Sequence, residues 1–111
     1  MNPEERKALE ALDKARAKAK EKQEAAAAKA LAATAGKISK ALPPAKELLD
    51  KDTFAMVPPA MADGLRSDIR FLEDQLVNIG QANPAEVTTR IASLKRWMTI
   101  TSSILKQLEK V

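Results

Sequence analysis

Apolar residues in the last third of the chain recur at alternating steps of four and three. Leu65, Ile69, Leu72, Leu76 and Ile79 form one series, and Val87, Ile91, Leu94, Met98, Leu105 and Leu108, with Thr101 in line, form a second. A mean step of about 3.5 keeps one face of a helix turned toward a single neighbour. Two such stripes separated by a short break predict an antiparallel helical hairpin over residues 60–111. Gly80 marks the end of the first helix. Asn83, Pro84 and Glu86 then start the second with a capping side chain, a first-position proline and a capping-box carboxylate. Trp97, Ile100 and Ile104 make a further apolar line beside the second stripe. A helix that is apolar on two sides needs two neighbours. The first hairpin helix supplies one; the segment 43–59 or a second copy of the chain supplies the other. Phe71 falls off its stripe and is expected to pack on that segment or on a neighbouring chain.

The first 36 residues follow a different pattern. Asn2, Pro3, Glu4 and Glu5 read as a helix start, and almost everything from there to Ala35 is Ala, Lys, Arg, Glu, Gln or Leu, all strong helix formers. Glu10 with Lys14, and Lys20 with Glu24, stand at ion-pair spacing. Large apolar residues are sparse: Leu9 and Leu12 near the start, Leu31 near the end, and a thin alanine seam between them. Such a seam removes little area from water, so residues 1–36 are expected to form a helical arm that is either solvated or held by a partner with larger side chains. Gly36 reads as a stop or hinge. Residues 37–59 read as an apolar connector broken by Pro43, Pro44, Pro58 and Pro59, with one short helix through Leu48 and Leu49, laid over the open side of the hairpin. Neither proline pair sits in a PxxP setting with basic neighbours, which weighs against a proline-motif ligand. The fold class is all-α: a long N-terminal helical arm, then a small bundle built on the heptad hairpin.

Composition narrows the function. The chain has no cysteine, histidine or tyrosine, which removes disulfides, thiolate chemistry and imidazole as base or ligand. Asp63, Asp68, Glu73 and Asp74 are the densest carboxylates, but their spacing does not converge on one face and Arg66 and Arg70 lie near enough to neutralise them, so they read as solvated charge. Thr99, Thr101, Ser102 and Ser103 lack a base to activate them. The three glycines are isolated, with no phosphate-cradling loop. No catalytic residue, cofactor site, metal site or small-molecule substrate is therefore expected. No apolar run reaches the roughly 18 residues needed to span a bilayer, and acids at Glu4, Glu5, Glu10 and Asp13 oppose a targeting peptide. The expectation is a protein of the cytoplasm or of a macromolecular assembly, neither secreted nor membrane-spanning.

Two functional readings follow. In the first, the chain is a non-catalytic interaction or assembly protein that binds a protein partner or itself through Trp97, Ile100, Ile104 and Phe71 and through Leu9 and Leu12 of the arm, since large buried rings dominate interfaces. Accessory proteins of scaffolds and phage particles share this build, an analogy of architecture only. In the second, Lys14, Arg16, Lys18, Lys20 and Lys22 make the arm a nucleic-acid contact, using part of a net charge of +4. A step of two turns about 200° around a helix, so these cations spread over two sides; Glu21 and Glu24 dilute them, and no aromatic is present for base stacking. Trp97 also has a plain use as a core residue of the bundle.

Overall fold

In the computed structural model of the protein, which describes residues 2–110, the chain is all-α, with a long N-terminal helix followed by a packed helical hairpin. Helix α1 spans Pro3–Leu49, α2 spans Pro59–Val77 and α3 spans Pro84–Glu109. Short 3₁₀ segments occupy Asp52–Met56 and Ile79–Gln81. The chain divides into two compact units, residues up to Ala32 and residues from Ala33 onward.

The first unit is a single helix. Asn2 caps it, its side-chain oxygen accepting the Glu5 amide hydrogen at 2.8 Å, and Glu4 and Glu5 lie in the first turn against the positive end of the helix dipole. Residues 2–30 are exposed throughout. Neither Glu10 and Lys14 nor Lys20 and Glu24 close to an ion pair, which is ordinary for exposed charges that gain little from pairing.

The second unit is a three-helix bundle. Its first wall is the end of α1, which buries Thr34, Ile38, Leu42, Ala45 and Leu48. Here the structure corrects two expectations. Gly36 does not stop the helix: it has no positive φ, and α1 continues through it. Pro43 and Pro44 lie inside the same helix. These rings cannot donate to the carbonyls of Ser39 and Lys40, but all four residues are exposed, so water reaches the freed carbonyls while the buried side of the helix stays intact. This wall of the bundle is thus one continuous helix through Leu49 rather than a proline-broken connector with one short helix. Phe54 and Val57 of the following segment still enter the core.

Both hairpin stripes are inside. Leu65, Ile69 and Leu72 of α2 and Val87, Leu94, Thr101 and Leu105 of α3 are buried, with Leu76, Ile79, Ile91, Met98 and Leu108 packed around them. Pro59 opens α2 at its first position, and α3 starts as its sequence predicts, Asn83 accepting from the amides of Ala85 at 3.0 Å and Glu86 at 3.4 Å. Helix α2 ends at Val77, before Gly80, with Asn78 as its C-cap. Lys46 to Glu73 at 3.4 Å ties α1 to α2, and Lys51, two residues past α1, to Glu109 at 3.7 Å ties the following segment to the end of α3. The short link from Asn78 to Asn83 makes α2 and α3 antiparallel.

Candidate functional site

The contact between α2 and α3 fixes where the predicted interface residues lie. A β-carbon at Gly64 would stand 2.6 Å from Trp97 Cε2, 2.8 Å from Cζ2 and 2.9 Å from Nε1, so the indole rests directly on the bare backbone of α2. One turn away, Asp68 accepts from Arg90 Nη1 at 3.0 Å and from Ser93 Oγ at 2.6 Å. A further turn on, the Arg90 guanidinium lies 4.5 Å from the centroid of the Phe71 ring. Gly64 with Trp97, Asp68 with Ser93 and Phe71 with Arg90 are three pairs of one antiparallel register.

This register corrects two readings. Asp68 is not solvated charge: it is 4% exposed, and both its oxygens are taken by α3. The other three carboxylates do not join it, since Asp63 and Asp74 are exposed and Glu73 pairs with Lys46. Among the described residues no group of three or more acids is placed to hold a metal ion. Trp97, for its part, does not lie on a face that the hairpin leaves uncovered, because the missing side chain of Gly64 makes room for it. It is half-buried and packed against the core.

The remaining interface residues are scattered. Ile100 and Ile104 are half-buried along α3, and Phe71 is half-buried under Arg90 on the α2 side. Leu9 and Leu12 sit in the first unit and are 46% and 45% exposed. They therefore belong to a different unit from Ile100, Ile104 and Phe71. Lys14, Arg16, Lys18, Lys20 and Lys22 are all exposed, and none makes an ion pair with a described residue.

A surface that the sequence reading passed over lies between α1 and α3. Ala41, Ile91 and Ala92 floor an open trough of about 520 Å³, and Lys37, Lys40 and Lys95 stand on its banks. Beyond Lys95 it meets a second shallow depression along α3 that reaches Ser102 and Lys106. The sequence hid it because its two banks are some fifty residues apart and one of them depends on α1 continuing past Gly36. Among the described residues no helix is long and apolar enough to cross a membrane. No protein-family model matches the chain, and neither a curated protein nor a solved structure is significantly similar to it.

Proposed function

We propose that the chain is a non-catalytic helical interaction or assembly protein of the cytoplasm or of a larger assembly, in which the bundle is the rigid body and the arm supplies a second contact surface. The observation that carries this reading is the arm itself: residues 2–30 are exposed on every side, yet carry Leu9 and Leu12 at near-half exposure. A helix that buries none of its own surface gains stability chiefly when a partner covers it. The carboxylates support the non-catalytic part, because Asp68 has both oxygens engaged and Asp63, Glu73 and Asp74 stand apart from it.

The second reading, a nucleic-acid contact through the arm, is favoured by the five exposed and unpaired cations from Lys14 to Lys22. One pair of titrations separates the two. Sedimentation of the purified full chain should show association that Leu9→Glu with Leu12→Glu weakens by about tenfold, as loss of apolar anchors does. Duplex DNA binding should be weak in a mobility-shift assay. Tight DNA binding that falls log-linearly with salt, with a slope that flattens when Lys14, Arg16, Lys18, Lys20 and Lys22 become glutamine, would reverse the order of the two readings.

A further inference from the structure

We infer that the trough between α1 and α3 is a docking site for an acidic amphipathic helix of a partner protein, which would complete the bundle as a fourth helix. The inference rests on the interaction reading above and gives that partner a chemistry. Three observations meet here. The floor is apolar and its lining includes the small side chains of Ala41 and Ala92 beside Ile91, so an approaching helix can come close. The banks are basic on both sides, Lys37 and Lys40 on α1 and Lys95 on α3, with Lys106 further along the same face. No carboxylate lines either stretch, and none of the four lysines makes an ion pair with a described residue.

The dimensions suit a helix. From Thr88 to Lys106 the face of α3 runs about 27 Å at 1.5 Å per residue, of which the stretch from Thr88 to Lys95, about 10 Å or two turns of a partner, has both helices as banks and the rest α3 alone. A helix presenting leucines at steps of three and four, with glutamates on both flanks, would place apolar side chains on Ala41, Ile91 and Ala92 and carboxylates against both banks. Nucleic acid fits less well: the floor is apolar and offers no aromatic ring for stacking. An acyl chain fits less well too, since the trough is open along its length and does not enclose a ligand.

The test uses the full chain and a synthetic amphipathic peptide of about eighteen residues with leucine at the inner positions and glutamate on both flanks, matched to the length of the face. Its control carries lysine for every glutamate. Calorimetry should show binding of the acidic peptide only. Lys37→Glu, Lys40→Glu and Lys95→Glu together should weaken it by about tenfold or more, and Ala92→Glu, at an exposed floor position, by about fivefold, whereas Arg70→Glu on α2 should leave it unchanged. Amide shift changes in the wild-type chain should map to residues 37–41 and 88–106, a readout independent of whether any variant folds. Equal binding of the basic control, or shifts elsewhere, overturns the inference. So does binding of anionic phosphatidylserine vesicles in place of the peptide, or self-association lost in the groove variants without peptide binding, which would make the occupant a lipid surface or a second copy. Absence of peptide binding by a chain that still associates through Leu9 and Leu12 overturns the groove and leaves the interaction reading standing.

Discussion

Residues 3–32 and residues 33–49 of α1 are both helical, yet different forces hold them. The first stretch is helical by composition: alanine, lysine, arginine and glutamate, an asparagine cap, and acids in the first turn, with no residue from 2 to 30 buried. The second stretch contains Gly36, Ser39, Pro43 and Pro44, a poor helix by propensity, and buries Thr34, Ile38, Leu42, Ala45 and Leu48. Good local propensity therefore accompanies no packing, and poor local propensity accompanies much of it. Tertiary burial of one face outweighs two prolines whose cost falls on the other face, where water takes over the lost hydrogen bonds.

The largest expected effect breaks the packed side of this comparison. Leu94 is fully buried, and Leu94→Asp should cost several kcal/mol, comparable to the whole stability of a small domain, so urea unfolding should show no cooperative native baseline. Next comes the helix contact. Gly64→Val should destabilise the bundle by about 2 kcal/mol through overpacking against Trp97, and adding Trp97→Leu should recover part of that loss in a double-mutant cycle. Additive losses would mean that the ring and the glycine do not share a contact. A smaller change runs the other way. Thr101 is fully buried and its hydroxyl oxygen has no hydrogen-bond partner among the described residues, so Thr101→Val should raise the urea midpoint by an amount equivalent to about 1 kcal/mol. The smallest effect on the bundle should come from the arm. Lys20→Pro should break the exposed helix locally, yet slow amide exchange at Leu65, Leu72, Leu94 and Leu105 should persist within about 0.5 kcal/mol of opening free energy. Loss of that protection would show that the two stretches stand or fall together.

What the sequence made legible follows the same division. The heptad stripes from Leu65 to Leu108 pointed to the hairpin because their period is long, regular and independent of any distant residue. Asn83 and Pro84 announced the start of α3 because a cap acts on amides two and three residues away. Gly36 and the proline pair misled because local rules do not say which face a breaker will occupy. Asp68 misled for a related reason: it stands beside the stripe at Ile69, and only the α3 residues that engage it, Arg90 and Ser93, decide that it is buried. The Gly64 contact left a faint trace, a glycine seven residues before Phe71 on the same flank, but nothing in the sequence pairs it with Trp97 in particular.

The seat of Trp97 on Gly64 also turns the chain into its own optical instrument. With one tryptophan and no tyrosine, nearly all near-ultraviolet emission comes from a single indole, and that ring touches the backbone whose departure would mark separation of α2 from α3. Far-ultraviolet dichroism, in contrast, sums over every helical peptide, arm and bundle alike. The two signals therefore report different events in one molecule. Emission follows the opening of a single interhelical joint, while dichroism follows the total helical length, so a denaturation curve recorded by both resolves the melting of a solvated helix from the parting of a packed one without any label.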